Sequence, residues 1–128
     1  MNNSAKDFGR SAEALAEDWL RKKGYRILER NLRIGRGELD LVAQDHRTLV
    51  FVEVKGRRTE RFGGTSYAVT PYKQRQLIKL ALAYLAQKNL TGIPCRFDVI
   101  LVTDSGNRST QITHLEHAFE VSSSDWQW

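Results

Sequence analysis

A pair of apolar segments interrupted by charged residues constrains the fold of this chain more than any other feature. Two strands are predicted, over Glu38–Ala43 and Leu49–Lys55, because valine, leucine and phenylalanine fill both segments. The polar residues Asp45–Thr48 lie between them and predict a turn. The sequence therefore predicts a β-hairpin that turns between His46 and Arg47.

Four charged side chains are expected to crowd one face of this hairpin. Residues two apart in a strand point to the same side, so Glu38 groups with Asp40, and Glu53 groups with Lys55. The predicted turn also places Asp40 opposite Glu53 and Glu38 opposite Lys55, with opposed side chains about 5 Å apart. Because opposed carboxylates repel and acidic residues are poor strand formers, stability alone does not explain this arrangement.

A divalent cation would resolve this conflict. Mg²⁺ is usually held by one or two carboxylates, while water and substrate phosphate oxygens complete its octahedron. A lysine beside the ion can help to activate a water molecule or stabilise charge that develops on a phosphate. The alternative is a solvated hairpin face with cross-strand salt bridges, and a one-residue slip in register would separate the four charges.

The chain as a whole is more basic than acidic. Its 128 residues include 20 lysines and arginines against 15 aspartates and glutamates, which gives a net charge of +5. An excess of this sign favours a polyanionic partner. Since some of the acidic residues are the predicted metal ligands, the remaining surface is more basic than the total suggests.

Length and composition predict one globular domain over residues 1–121, followed by a short polar tail over residues 122–128. No apolar run is long enough to span a bilayer, and the polar start is not a signal peptide. The single cysteine, Cys95, excludes an internal disulfide and favours a cytoplasmic protein, in which it serves as a small packing residue. Because neither a GxGxxG nor a P-loop pattern is present, we expect no small-molecule cofactor, and we expect no membrane partner.

Two helices and three further strands are predicted around the hairpin. Helical spacing of apolar residues predicts the helices, and runs of β-branched and aromatic residues predict the strands. The resulting order is α-β-β-β-α-β-β. The additional elements are Asp7–Lys23, Tyr25–Ile34, a helix from Thr70 to about Lys88, Arg96–Thr103 and Gln111–Phe119.

Basic residues cluster around the predicted hairpin. Arginines follow Lys55 directly in a glycine-containing segment that is predicted to be a mobile loop. Others lie in the turn before the hairpin and in the first half of the second helix. We expect these residues to contact a nucleic-acid backbone, with a solvated basic surface as the alternative. They are Arg36, Arg57, Arg58, Arg61, Lys73 and Arg75.

Several other polar residues have structural explanations. Glu13 lies at the edge of the apolar stripe of the first helix, where a salt bridge to Arg10 or to a neighbouring helix residue would explain it. Asp98 near the start of a buried strand is expected to pair with an arginine. His114 and His117 are predicted to lie on opposite faces of the last strand, so they are poor metal partners for each other.

The arrangement of these motifs resembles the PD-(D/E)xK nuclease superfamily, with Asp40 on the second strand and Glu53-Val54-Lys55 on the third. A wider set of motifs is similar to the YraN family of small bacterial proteins regarded as endonucleases, which in turn resembles archaeal Holliday-junction resolvases. These motifs are Gly9-Arg10, Glu13-Ala14, Gly37–Val42, Phe51–Lys55, Arg96–Val99 and Ala118-Phe119.

The resemblance implies a restriction-endonuclease-like α/β fold, in which a mixed β-sheet is flanked by helices. It also implies a site for Mg²⁺ or Mn²⁺ made by Asp40 and Glu53, with Glu13 as an additional carboxylate from the first helix. Lys55 would activate water or stabilise charge. Glu38 matches a family position without an assigned role, and we expect it to form a salt bridge with Lys55 or an arginine.

The predicted function is therefore metal-dependent hydrolysis of phosphodiester bonds in DNA by an endonuclease. The sequence leaves junction, flap and simple duplex DNA open, and the likeness to resolvases favours a homodimer. The second helix lacks the Gln-x-x-x-Tyr pattern of exonuclease-like relatives, since Gln74 is followed four residues later by Ile78. The alternatives are a module of the same fold that binds nucleic acid without cutting it, and an adaptor that docks another protein.

Overall fold

The helices and strands follow one another in the order predicted from the sequence. A computed structural model describes residues 4–57, 69–104 and 109–121. Within these ranges, the order α-β-β-β-α-β-β is confirmed. The elements are α1 (Ser4–Lys22), β1 (Arg26–Ile34), β2 (Gly37–Asp45), β3 (Thr48–Arg57), α2 (Pro71–Gln87), β4 (Cys95–Asp104) and β5 (Thr110–Leu115).

The ends of these elements follow local chemistry. Helix α2 begins after Thr70, whose side chain accepts a hydrogen bond from the backbone N–H of Lys73, as the Thr-Pro pair predicts. Helix α1 begins at Ser4 rather than at Asp7. Strand β5 ends at Leu115, before the predicted Phe119, because the chain turns through a positive φ of 54° at His117.

The strands of the described residues form one mixed sheet in the order β1-β2-β3-β4-β5. Strands β1, β2 and β3 pair antiparallel, as do β4 and β5, whereas β3 and β4 pair in parallel. A parallel pair requires a crossover, and α2 lies within the connection between β3 and β4. The predicted restriction-endonuclease-like α/β architecture is confirmed.

One helix covers each face of the sheet. The first layer joins α1 to β3 and β4 through Ala12, Ala16, Leu20, Val50, Val52 and Ile100. The second layer joins α2 to the opposite face through Leu77, Ala81, Tyr84, Phe51, Phe97 and Val99. Strand β3 is therefore buried on both faces from Leu49 to Val52, and it becomes half-buried from Glu53 to Lys55. No helix of the described residues is long and apolar enough to cross a membrane.

A buried ionic cluster joins β4 to β5 and α1. Asp98 is 1% exposed and accepts hydrogen bonds from Nε of Arg96 at 3.0 Å and from the backbone N–H of His117 at 3.0 Å. The indole N–H of Trp19 donates to Nδ1 of His114, so Nε2 of this ring carries the proton that is donated to Asp98 at 2.8 Å. The predicted arginine partner of Asp98 is confirmed.

These bonds stabilise the charged form of Asp98. Burial alone would raise the pKa of this carboxyl group, but the hydrogen bonds from His114, Arg96 and the His117 backbone lower the pKa below its ordinary value. A carboxylate with a lowered pKa stabilises the fold above its unfolded pKa of about 3.9 and loses that contribution as the pH falls.

We expect Asp98→Ala to destabilise the protein by about 3–5 kcal/mol at neutral pH, because it removes a buried charge that pairs with Arg96 and leaves the ring N–H of His114 and the backbone N–H of His117 without an acceptor. Urea unfolding measures this difference. The control is Glu120→Ala, since the side chain of Glu120 is 85% exposed and contacts a surface histidine, His117. That control should change the free energy of unfolding by no more than about 0.5 kcal/mol. Equal effects of the two substitutions would contradict the structural role of Asp98.

Candidate active site

The β2–β3 hairpin stops pairing at the end that carries the predicted metal ligands. Its ladder runs from the turn to Leu41 opposite Val52, in the register predicted from the sequence. Beyond that pair, the backbone N–H of Val54 donates to Oδ2 of Asp40 at 2.9 Å. The predicted direct pairing of Asp40 with Glu53 is therefore not part of the ladder. The carboxylate of Asp40 accepts the hydrogen bond that a backbone carbonyl of β2 would accept in a regular ladder.

A kink in β1 lies beside Asp40 and was missed by the sequence reasoning. Asn31 has a φ of 50°, a left-handed conformation that asparagine adopts more readily than most residues. The β1–β2 ladder continues on both sides of Asn31 but omits it. On β2, Leu39 packs in the α2 layer and Leu41 in the α1 layer, although residues two apart normally share a face. Strand β2 thus changes face at Asp40.

Two contacts tie α1 to this kink. Glu13 and Asn31 line the same small cavity, where the side chain of Asn31 acts to lower the pKa of Glu13. One helical turn later, Glu17 accepts hydrogen bonds from Nη2 and Nε of Arg30 at 2.7 Å and 3.0 Å. The Arg30 bond is the main reason that the pKa of Glu17 is lowered to about 2. Glu13 is therefore held towards the hairpin opening, while the side chain of its alternative partner, Arg10, lies outside the described residues.

Four carboxylates influence one another at this opening. Burial, followed by the negative charges of Glu53, Glu13 and Glu38, raises the pKa of Asp40 to about 7. Burial also raises the pKa of Glu13, with the charges of Glu38 and Glu53 adding to the rise and the bond to Asn31 opposing it. A carboxylate in this position is stabilised by a proton or by a cation. The residues grouped by the sequence analysis thus form one electrostatic unit.

Two lysines come from the elements that carry this unit. Nζ of Lys73, in the first turn of α2, lies 3.5 Å from Oε2 of Glu53. Lys55 is half-buried on β3, two residues after Glu53 and so on the same face. Within the described ranges, neither Lys55 nor Glu38 forms an ion pair, so the predicted salt bridge between Glu38 and Lys55 or an arginine is not observed there.

The donor set suits a hard divalent cation. Asp40, Glu53 and Glu13 offer carboxylate oxygens, which are the ligands preferred by Mg²⁺ and Mn²⁺. Among the residues that the structure describes, no three histidine, cysteine or acidic side chains are gathered closely enough to form a metal cluster. Ligation by all three carboxylates would therefore require side-chain movement, including release of Glu53 by Lys73.

The other basic residues predicted to contact nucleic acid lie on several different elements. Arg36 is exposed in the turn between β1 and β2, and Arg75 is exposed on α2. Arg57 is half-buried at the end of β3. Arg58 and Arg61, together with most of the predicted mobile loop, lie outside the described residues.

Cys95 fits the packing role predicted for it. The side chain is half-buried at the start of β4, and its thiol donates to the backbone carbonyl of Ile93 at 3.4 Å. Burial raises the pKa of this thiol to about 11, so the reactive thiolate is scarce at neutral pH. The chemistry of the site therefore rests on carboxylates and lysines.

Comparison with known sequences identifies the family. Residues 12–102 match the family described as "Uncharacterised protein family UPF0102". The chain belongs to the UPF0102 family. The resemblance to the YraN family is confirmed, because the UPF0102 family is YraN-like.

Relatives in the UPF0102 family are similar along most of their length. The UPF0102 protein of Geotalea uraniireducens is 45% identical over 116 residues, which cover 91% of each chain. That of Geobacter sulfurreducens is 47% identical over 116 residues, again 91% of each chain. A third, from Pelobacter propionicus, is 49% identical over 117 residues and covers 88% of this chain and 82% of the relative.

One solved structure shares a distant likeness with this UPF0102 chain. It is the structure of Pyrococcus furiosus SfsA in complex with Ca²⁺, with a TM-score of 0.44 and 16% sequence identity. The match covers 91% of this chain and 65% of the SfsA chain, so this chain spans less than two thirds of that protein. A likeness at this level carries no argument about function.

We expect Asp40→Asn to stabilise the metal-free protein at neutral and alkaline pH. A group whose pKa is raised on folding stabilises the fold below its unfolded pKa, about 3.9 here, and loses that contribution as the pH rises through the folded value of about 7. The variant should therefore melt at a higher temperature than the wild type at pH 8 in EDTA, and the difference should shrink towards pH 5.

Differential scanning calorimetry over this pH range measures the effect. Glu120→Gln removes an exposed carboxylate from the other end of the described chain and serves as the control, for which we expect no such trend. A melting temperature of Asp40→Asn at or below the wild-type value at pH 8 would show that Asp40 is not a strained carboxylate.

Proposed function

We propose that this protein is a metal-dependent endonuclease that hydrolyses phosphodiester bonds in DNA. The observation that carries the proposal is the opened hairpin end, where Asp40, Glu53 and Glu13 interact electrostatically beside Lys55 and Lys73. Mutual repulsion among half-buried carboxylates is costly for stability, and catalytic sites are where such cost is commonly found. Membership of the UPF0102 family assigns no activity to this chain, so the proposal rests on the residues of the site.

Each residue has a distinct role in this proposal. Asp40 and Glu53, with Glu13 from α1, would hold Mg²⁺ or Mn²⁺, which when bound supplies activation of water and stabilisation of charge on the phosphate. Asp40 must be ionised to act as a ligand, and the Val54 N–H orients its carboxylate. Glu13 lies beside Asn31 in the same small cavity.

The two lysines handle the substrate. Lys55 forms no ion pair among the described residues, and its ammonium group would orient the attacking water or stabilise charge on the phosphate. Lys73 neutralises Glu53 in the metal-free protein. Once Glu53 turns to the cation, Lys73 can donate to a phosphate oxygen, which is a charge-assisted hydrogen bond.

A second function is favoured by the same ion pair. Lys73 already satisfies Glu53, and no metal cluster is preformed among the described residues. If the carboxylates serve only this salt bridge, the protein binds nucleic acid without cutting it. Binding would then be salt-sensitive, independent of metal and insensitive to loss of Asp40.

Cleavage of labelled four-way junction, flap, single-stranded and duplex DNA with Mg²⁺, Mn²⁺ or EDTA distinguishes the two functions. We expect metal-dependent products that Asp40→Asn abolishes and that Lys55→Ala slows by about 10²–10⁴-fold. Lys22→Ala removes the same charge from a side chain that is 77% exposed at the end of α1, and it should cleave normally. Unchanged cleavage by Asp40→Asn would overturn the site, and binding without cleavage by the wild type would favour the second function.

Metal binding has a readout that does not depend on activity. We expect Mg²⁺ or Mn²⁺ to raise the melting temperature at pH 8. An ion present at a hundred times its Kd increases the free energy of unfolding by about 2.7 kcal/mol. The shift should be smaller at pH 6, because protons compete for Asp40, and it should vanish in Asp40→Asn. Scanning calorimetry with and without the ion measures this. An equal shift in wild type and variant would place the ion elsewhere.

A further inference from the structure

One exposed aromatic side chain lies beside the candidate active site. Tyr72 is 64% exposed, the most exposed large hydrophobic side chain of the described residues. It directly precedes Lys73, whose ammonium group contacts Glu53. The other exposed large hydrophobic residue, Leu15, lies on α1. Single exposed apolar residues need no explanation by themselves, so the surroundings of Tyr72 decide its meaning.

The ring of Tyr72 belongs to a polar and basic stripe on α2. Gln76, one turn later, donates its side-chain N–H to the Tyr72 hydroxyl at 2.8 Å, which limits the orientations of the ring. Lys79 follows at the next position of the same helical face. The first turn of α2 contains no acidic residue. The stripe therefore presents a positioned aromatic face among donors and positive charge.

A groove extends this stripe towards the β1–β2 turn. It is lined by Arg36 from the turn and by residues from the adjoining elements, which are Ile34, Gly37, Gln76, Lys79 and Leu80. A side chain at Gly37 would approach Leu80 to 2.7 Å, so glycine permits the turn to lie this close to the helix. The close approach holds Arg36 and Lys79 on one groove. Two cations and an amide donor are the groups that bind phosphate oxygens.

From this geometry we propose that Tyr72 and the groove form a subsite for an unpaired nucleotide next to the cleavage position. This rests on the proposed function and names its substrate class. Arg36 and Lys79 hold the backbone phosphate, and the base stacks on the exposed ring of Tyr72. A base inside an intact duplex has both faces covered by its neighbours, so it cannot stack on a side chain. The subsite therefore favours DNA with an unpaired segment over blunt duplex.

Fluorescence anisotropy with labelled oligonucleotides in EDTA tests the subsite without cleavage. We expect Tyr72→Ala to weaken binding of single-stranded and overhang DNA by about 5- to 150-fold and to leave blunt duplex binding unchanged. Tyr72→Phe keeps the stacking face and should retain most of the affinity. Leu15→Ala, which removes the other exposed apolar side chain, should have no effect on either DNA.

Contacts with the backbone have a different signature. We expect Arg36→Ala and Lys79→Ala to weaken binding of every DNA and to reduce the salt dependence of binding by about one phosphate contact each. An oligonucleotide with an abasic position in its unpaired segment should lose affinity for the wild type but not for Tyr72→Ala. Combining the abasic position with Tyr72→Ala forms a double-mutant cycle, which separates base stacking on Tyr72 from contacts with the DNA backbone.

The outcomes separate this subsite from the proposed catalysis. Equal losses on single-stranded and duplex DNA in Tyr72→Ala, or no loss at all, would overturn the subsite. Asp40→Asn should bind unpaired DNA in EDTA at least as tightly as the wild type, since it removes negative charge. If unpaired DNA binds through Tyr72 but no DNA is cleaved with metal, the subsite stands and the endonuclease proposal falls. A wild-type protein that binds no DNA would overturn both.

Discussion

One hydrogen bond, from the N–H of Val54 to the carboxylate of Asp40, determines how the rest of the site is arranged. In a regular antiparallel pair that N–H would bond to a carbonyl of the neighbouring strand. Because a side chain accepts it instead, β2 and β3 stop pairing where Glu53 and Lys55 begin. The two strands pair continuously from the hairpin turn to Leu41 and Val52, and they are unpaired beyond that point. Charged groups from α1, β3 and α2 can therefore approach one another there.

The arrangement is unfavourable by itself, and the remainder of the fold compensates for it. Burial and like charge raise the pKa of Asp40, which means that its ionised form destabilises the folded state. Both faces of β3 are meanwhile packed by apolar side chains of α1 and α2. The buried cluster at Asp98 joins β4, β5 and the end of α1 through hydrogen bonds. Among the described residues, every buried side-chain nitrogen and oxygen atom has a hydrogen-bond partner. Asp98 lies opposite Val52 on the neighbouring strand, so the strained hairpin opening adjoins a part of the sheet whose polar groups are well paired.

Local pattern predicted the fold well, and tertiary contacts explain most of what it missed. Alternation and turn residues were enough for the hairpin and its register, because both depend on neighbours in sequence. The end of the ladder depends on the bond from Val54 to the side chain of Asp40, beside the kink at Asn31, and neither feature follows from the alternation of residues along the strands. The partners Lys73 of Glu53 and His114 of Asp98 come from distant parts of the chain. No periodicity encodes such pairs, and the roles of Asp40, Glu53, Lys55 and Glu13 in catalysis remain predictions.

The ion pair between Lys73 and Glu53 has a thermodynamic consequence for the proposed nuclease. Two ligands that compete for the two ends of one internal salt bridge must assist each other's binding. A cation that captures Glu53 releases Lys73 for a phosphate, and a phosphate that captures Lys73 releases Glu53 for a cation. By linkage, each partner raises the affinity of the other by the same factor. Glu53 would then bind the cation and Lys73 the phosphate only when both ligands are present. Metal and DNA together would therefore favour the conformation that cleaves.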